Sequence, residues 1–218
     1  VFSIADEITI LRDGEVITHK NIGEITIEEA VKIMVGHDLG DQIQKVKAFA
    51  KNLSDEVVLE VKNLCSRGKF ENVSFKLKKG EVLGFGGLVG SGRTEVLEAI
   101  FGYKPAERGE IYIHGNKVDI RHTNDAIKHH MALIPEERKL KGLFGVLDVG
   151  ENINIASYKK HKKNAFISKK LETEAAKRYV KLLDIKTPSI HKMAGNLSGG
   201  NQQKTILSRW LQTDPEIL

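Results

Sequence analysis

β-branched and apolar residues dominate four short runs near the start of the chain, and these runs are predicted to be strands. They are residues 8–11, 15–18, 57–61 and 73–77. The first two flank Asp13-Gly14, a pair typical of a tight hairpin turn. Between the two pairs of strands, residues 37–56 are polar and show no strong period, so we interpret them as a linker.

Five other segments are predicted to be helical, either from the spacing of their apolar residues or from a capping residue at their start. They are residues 26–34, 94–101, 125–130, 168–184 and 202–211. Thr26 is a favourable N-cap for the first of them. The buried face of the fourth is predicted to carry Leu171, Ala175, Tyr179, Leu182 and Leu183, and that of the fifth Ile206, Leu207, Trp210 and Leu211.

Two further runs, residues 82–85 and 131–134, are apolar throughout, which is typical of strands buried on both faces. Residues 109–118 predict another hairpin, with its turn at Gly115-Asn116.

A glycine-rich loop, residues 86–94, connects the predicted strand at 82–85 directly to the helix that follows. Strand, glycine loop and helix in this order form the context of a phosphate-binding P-loop. Glycines let backbone N–H groups approach phosphate oxygens, and the Thr94 hydroxyl suits Mg²⁺. The candidate nucleotide-binding residues are Gly87, Gly90, Ser91, Gly92, Arg93 and Thr94.

Arg93 is the one departure from the pattern Gly-x-x-x-x-Gly-Lys-Thr, which the loop otherwise matches from Gly87 to Thr94. A lysine is a compact point charge, whereas a guanidinium is planar and forked, so the exchange is not conservative. We expect nucleotide binding with altered geometry and poor support of hydrolysis. The alternative is a glycine-rich turn with a solvated arginine.

A second candidate site is the octapeptide Leu197-Ser198-Gly199-Gly200-Asn201-Gln202-Gln203-Lys204. Ser198 can cap the following helix, and the two glycines leave its start bare of side chains. Backbone N–H groups at such a start point outward and carry partial positive charge, which favours phosphate. A lone Ser-Gly-Gly is more often a plain turn, but the whole octapeptide is far more specific.

The octapeptide resembles the signature motif of ABC-type ATPases, and its Asn-Gln-Gln-Lys ending resembles the ATPase subunits of bacterial sugar importers of the ribose, galactose and xylose type. The resemblance covers nearly the whole chain. It implies a P-loop NTPase fold of the α/β class, truncated here: a RecA-like mixed sheet with an antiparallel β edge, and a helical subdomain at about residues 141–200.

Residues 5–14 resemble the closing segment of an ABC ATPase domain. The resemblance therefore implies that residues 1–36 are the tail of a first ATPase half and that residues 57–218 are an incomplete second half. The alternative is an N-terminal hairpin that belongs to the following domain.

In this family, a glutamine at the end of a strand senses Mg²⁺ and contacts the membrane subunit. The string Ile-Pro-Glu-Glu-Arg-Lys at residues 134–139 is similar to the second half of sugar importers and has Glu136 at that place. The alternative is an exposed charged turn. Residues 214–218 are similar to the segment that leads to the Mg²⁺-linked aspartate and the catalytic glutamate, which are absent here, as is the switch histidine. We therefore assign no catalytic residue in this chain.

The resemblance implies two halves that face each other, with each nucleotide held between the P-loop of one and the signature motif of the other. The implied ligands are ATP and Mg²⁺, the latter through Thr94. The implied partners are the other half or a second copy, membrane permease subunits and, indirectly, a sugar-binding protein. The implied location is the cytoplasmic face of the bacterial membrane, as a peripheral protein. The signature residues are Leu197, Ser198, Gly199, Gly200, Asn201 and Gln202.

Composition adds few constraints. Hydrophobic residues make up 40% and charged residues 29%, as in an ordinary soluble globular protein, and the net charge of +5 suits an anionic ligand without identifying one. A single cysteine excludes an intramolecular disulfide. The adjacent pair His129-His130 would point apart on a helix, so we predict no metal site there.

Other functions stay open. A basic run at residues 159–163, joined by Lys169-Lys170, is the one feature that favours an RNA- or ribosome-associated nucleotide switch. Without aromatic residues between the lysines we interpret the run as a solvated loop and expect no nucleic acid. A P-loop kinase would lack the octapeptide. The sequence does not identify the sugar, and a purine nucleoside importer or a non-functional piece of a larger protein are further alternatives.

Overall fold

A computed structural model describes residues 1–12, 14–35, 54–163 and 166–218. They belong to two compact units, Val1–Ser54 and Asp55–Leu218. Most of the predicted linker, residues 37–53, lies outside the described residues.

The first unit is a hairpin followed by a helix. Strands β1 (Glu7–Arg12) and β2 (Glu15–Asn21) pair antiparallel, and helix α1 spans Ile27–Val35. Thr26 and Glu29 form a capping box: Glu29 N donates to Thr26 Oγ1 at 3.1 Å, and Thr26 N donates to Glu29 Oε2 at 2.9 Å. The predicted hairpin and the predicted cap are both confirmed, although Asp13 of the turn is outside the described residues.

The second unit is built on a four-stranded antiparallel sheet in the order β4-β3-β5-β6. Its strands are β3 (Val57–Ser66), β4 (Phe70–Lys78), β5 (Arg108–Ile113) and β6 (Asn116–Val118). Helices α2 (Arg93–Ile100) and α3 (Thr123–Lys128) follow β4 and β6. Val61, Ile100, Met131 and Ile217 belong to one buried core that joins the sheet to α2.

The two runs predicted to be buried strands do not form strands. Residues 82–85 have no regular structure, and Val82 is 94% exposed. Residues 131–134 contribute a single parallel bridge, between Met131 and Ile217. A strand needs a neighbour for its backbone hydrogen bonds. Among the described residues no such neighbour flanks residues 82–85, so apolar composition alone was a wrong guide.

Helices dominate the remainder of the second unit. After a π-helical turn at Arg138–Gly142 come α4 (Val149–Asn154), the short strands β7 (Lys162–Lys163) and β8 (Phe166–Ile167), α5 (Lys169–Leu182) and α6 (Gly199–Leu211). Val149, Ile153, Ala176 and Leu197 belong to a second buried core. No helix among the described residues is long and apolar enough to cross a bilayer.

The predicted buried face of α5 is partly wrong. Leu182 is 62% exposed and Leu171 is 38% exposed, whereas Ala176 is fully buried and Tyr179 nearly so. Close approach to α4 selects this face, because Ala176 lies against Gly150 of that helix. The small Ala176 side chain permits α5 to pack closely on α4, whereas a leucine at position 176 would not fit.

Candidate functional site

The glycine loop at residues 86–92 lies on the surface and ends at the start of α2. Gly92 is the N-cap of α2 with φ of +88°, and an added Cβ would lie 2.6 Å from the Lys69 carbonyl oxygen. No other residue type fits both the backbone angle and the space. The hydrogen bond from Ser91 N to Leu88 O, 3.1 Å long, closes the loop. The glycine positions therefore leave the backbone without side chains where the sequence predicts phosphate binding.

Beside this loop is a cavity of about 610 Å³, which the candidate nucleotide-binding residues from Gly90 to Thr94 line on one side. Pro135, Glu136 and Lys141 line the other side. The structure thus brings the loop and the Glu136 segment together at one cavity. None of residues 197–202 borders this cavity within the described part of the chain.

Thr94 and Glu136 are in direct contact across the cavity. The Thr94 hydroxyl donates to Glu136 Oε2 at 3.2 Å, although 42 residues separate them in sequence. A hydroxyl and a carboxylate are hard oxygen ligands of the kind that Mg²⁺ accepts, usually together with water and phosphate oxygens. Among the described residues there is no cluster of three or more metal-ligating side chains.

A buried carboxylate lies one helical turn after Thr94. Glu98 is only 6% exposed and pairs with Lys141 at 3.0 Å and with Lys104 at 3.5 Å. Burial raises the pKa of Glu98, but the two lysines outweigh burial and the net pKa is lowered. The bond to Glu98 raises the pKa of Lys141. Sequence reasoning missed this pair, although Glu98 lies four residues after Thr94 and therefore on the same helix face.

Arg93 is half-buried in the first turn of α2. Among the described residues, no carboxylate lies within ion-pair distance of its guanidinium. No ion pair among the described residues therefore holds its charge, which leaves the guanidinium available to an anionic ligand.

The start of α6 is open to solvent. Ser198 and Gly200 are exposed and Gly199 is half-buried. The helix begins at Gly199, three residues earlier than predicted, so both glycines lie in its first turn. Ser198 occupies the N-cap position, but its hydroxyl accepts from Asn201 Nδ2 at 2.8 Å rather than from a backbone N–H. The predicted capping by the Ser198 side chain is therefore wrong, and the first backbone donors are not covered by it.

Arg138 lies against this helix start, and sequence reasoning assigned it no role. Its Nε donates to Gln202 Oε1 at 3.3 Å, and an added Cβ on Gly199 would lie 2.8 Å from its Nη2. Gln202 is 4% exposed, and its amide nitrogen donates to the carbonyl oxygens of Gly195 and Leu197. The sequence contains no local signal for the contact, because 61 residues separate Arg138 from Gly199.

Deeper along α6, Arg209 is a buried cation bound to carbonyl oxygens. It donates to Gly142 O at 2.6 Å, to Asn152 O at 2.8 Å and to Asn152 Oδ1 at 2.8 Å. Burial lowers the pKa of Arg209 to about 10, so it stays charged at neutral pH. These bonds fasten α6 to α4 and to the π-helical turn.

The sequence pattern of the family described as ABC transporter matches residues 70–218. That stretch is more than half of the chain and contains both the glycine loop and the octapeptide. The chain belongs to the ABC transporter family. This assignment confirms the family to which the two motifs point.

Members with similar sequences are sugar-import proteins. A putative ribose/galactose/methyl galactoside import ATP-binding protein of Geobacillus kaustophilus is 44% identical over 215 residues, which are 99% of this chain and 42% of that protein. The xylose import ATP-binding protein XylG of Thermoanaerobacter pseudethanolicus is 42% identical over 226 residues, 100% of this chain and 44% of that protein. The chain thus spans less than half the length of these relatives.

A solved ABC structure shares the fold. A dimeric ATP-binding cassette in a post-hydrolysis state, bound to ADP and phosphate, matches with a TM-score of 0.57 at 22% identity. The match covers 72% of this chain and 70% of that one. The fold is therefore that of an ABC ATPase cassette, which confirms the predicted α/β fold class.

Proposed function

We propose that this chain is part of the nucleotide-binding ATPase component of a bacterial ABC importer for monosaccharides. The observation that carries the proposal is the exposed start of α6, where Ser198 and Gly200 face solvent in front of uncovered backbone N–H groups. Such donors stabilise the charge that develops on a phosphoryl group during transfer. The sugar-import relatives support the transport role.

The two halves of the proposed ATPase have unequal tasks. Residues 197–202 complete the site of a facing half, or of a second copy, by binding the triphosphate held there. The cavity beside Thr94 binds ATP with little turnover, because Arg93 replaces the lysine of the P-loop. We assign no catalytic residue to this chain.

Mg²⁺ enters the proposal through Thr94 and Glu136. Their oxygen atoms are in hydrogen-bond contact beside the glycine loop, so both can bind one hard cation that phosphate oxygens and water complete. When bound, the ion neutralises negative charge on the phosphates. Thr94 would hold the ion through its hydroxyl and Glu136 through its carboxylate.

The proposed domain organisation and location also rest on membership of the ABC transporter family. Residues 1–36 are the tail of a first ATPase half, residues 37–56 a linker and residues 57–218 the second half with a helical subdomain at about 141–200. The complete protein acts at the cytoplasmic face of the membrane with permease subunits and, through them, a sugar-binding protein.

Three of the basic residues that would favour an RNA-binding switch lie within ion-pair distance of carboxylates. Lys160 pairs with Asp214, Lys169 with Glu172 and Lys170 with Glu174. Paired lysines offer less net charge to a phosphate backbone, so these contacts favour the transport function.

The test is to purify the tagged complete protein and to identify what accompanies it. We expect membrane subunits to co-purify, and the reconstituted complex to couple ATP hydrolysis to uptake of ribose, galactose or xylose. Co-purification with ribosomes in place of membrane subunits would contradict the proposal. Uptake of a purine nucleoside alone would retain the ATPase function and refute the sugar assignment.

A further inference from the structure

The π-helical turn at Arg138–Gly142 lies along a single face of α6. Its contacts on the helix occur at Gly199, Gln202, Ile206 and Arg209. These positions are three or four residues apart, the spacing of one helix face. The turn and the helix therefore meet along a continuous seam rather than at one point.

Arg138 forms the end of this seam nearest the signature residues. Its Nε is the donor to Gln202 Oε1, whose side-chain amide is already oriented by bonds to two backbone carbonyl oxygens. A buried amide with both its atoms in hydrogen bonds has a fixed orientation. Arg138, itself exposed, thus donates to a fixed acceptor beside the first turn of α6.

The two glycines of the motif differ in what surrounds them. A Cβ on Gly199 would lie 2.8 Å from Nη2 and 3.3 Å from Cζ of Arg138, whereas nothing lies within 4 Å of a Cβ on Gly200. Within the described residues, a side chain at position 199 would therefore displace the Arg138 guanidinium, whereas one at position 200 would meet no neighbour.

The other end of the turn is fastened to the same helix. Arg209 Nη1 donates to Gly142 O at 2.6 Å, and an added Cβ on Gly142 would lie 2.8 Å from Ile206 Cδ1. With both ends attached to α6, the turn and the helix are expected to move as one piece.

The turn also begins next to the nucleotide cavity. Glu136 accepts from the Thr94 hydroxyl, and only Glu137 separates it from Arg138. Two residues of the chain therefore connect the cavity contact at Glu136 to the seam on α6.

We propose that Arg138 is a positioning residue that connects the glycine-loop cavity to the start of α6. It sets the orientation of Ser198, Gly199 and Gly200 through Gln202 and through its packing on Gly199. This role rests on the proposed function, because those residues act on the triphosphate of the facing half.

The first test compares Arg138→Ala, Arg138→Lys and the neighbouring control Lys139→Ala in the complete protein assembled with its membrane subunits. We expect Arg138→Ala to lower kcat for ATP hydrolysis about tenfold with KM for ATP nearly unchanged, a size within the range of contact-pair couplings. Arg138→Lys should stay near the alanine level, because an ammonium lacks the planar fork that fits Gln202 and Gly199. Equal rates for Arg138→Ala and Lys139→Ala, or recovery of more than half of the wild-type kcat in Arg138→Lys, would overturn the proposal.

The second test is a double-mutant cycle that needs no hydrolysis. Gly199→Ala should lower the urea midpoint of the wild-type protein, yet have little effect in the Arg138→Ala background, because both changes act on one contact. Gly200→Ala should have the same effect in both backgrounds. Additive effects of Arg138→Ala and Gly199→Ala on the urea midpoint would refute the contact between Arg138 and Gly199. A complete protein without ATPase activity but with a non-additive cycle would refute the proposed function alone.

Discussion

Arg93 is the residue proposed to limit turnover at the cavity beside Thr94. It stands in the first turn of α2, where a P-loop has lysine, and among the described residues no carboxylate lies within ion-pair distance of it. Its charge can therefore reach a phosphate, but a planar guanidinium cannot occupy the place of a compact ammonium. The proposed outcome is retention of nucleotide without efficient turnover.

Arg93→Lys tests this outcome. With the nucleotide site of the facing half disabled, we expect the substitution to raise ATP hydrolysis at the cavity beside Thr94 by about tenfold, because the ammonium fits against the phosphates. Hydrolysis and ATP affinity should be measured on the complete protein, with the exposed Arg121→Lys as control. An unchanged rate and affinity would refute the assignment to Arg93.

Glu98 gives a pH-dependent contribution to stability. Its pKa is lowered in the folded protein by Lys141 and Lys104 against the effect of burial, so the unfolded chain binds more protons at acidic pH. The contribution is fully present above the unfolded pKa, near 4.5, and is lost as the pH falls through the folded pKa.

Urea unfolding between pH 7 and pH 3 measures this contribution. Glu98→Gln should be less stable than the wild type at neutral pH, and the difference should shrink towards acidic pH. Glu95→Gln on the same helix is the control. A difference that does not change with pH would contradict the pairing of Glu98 with the two lysines.

At the scale of elements, α6 and the turn at Arg138–Gly142 form one assembly. A local signal, the octapeptide, predicted the bare start of α6, just as Thr26 predicted the cap of α1 in the first unit. The seam itself could not be predicted, because its contacts join residues about 60 positions apart. Local sequence patterns carry no signal for contacts over that distance. The helix starts at Gly199 rather than at Gln202 because glycines, although poor helix formers, are tolerated in a first turn.

Asn152 provides the test at this scale. Its side chain is fully buried. The amide oxygen accepts from Phe144 N and from Arg209, and the amide nitrogen donates to the carbonyl oxygens of Phe144, Leu147 and Asp148. Asn152→Leu removes these bonds and should lower the free energy of unfolding by about 3 kcal/mol, since buried partners are left unpaired. Chemical denaturation measures the free energy of unfolding of Asn152→Leu and of the exposed control Asn196→Leu. A decrease below about 1 kcal/mol for Asn152→Leu would contradict the role of these buried hydrogen bonds.

At the scale of the whole molecule, the family and the fold followed from two motifs in the right order. The strands predicted at residues 82–85 and 131–134 were wrong, because a strand needs a hydrogen-bonding neighbour and composition does not show whether one is present. Its two candidate sites are proposed to work on different nucleotides, one in its own cavity and one in a facing half.

The most direct test of that division is Gly200→Asp in the complete protein, compared with Asn124→Asp, which adds the same charge at the corresponding position of α3. A carboxylate in the first turn favours the helix itself but repels a triphosphate. We predict that Gly200→Asp lowers kcat for ATP hydrolysis by about 100-fold or more without lowering the free energy of unfolding, while Asn124→Asp stays near wild type. An unchanged kcat in Gly200→Asp would contradict the claim that the start of α6 binds the triphosphate of the facing half.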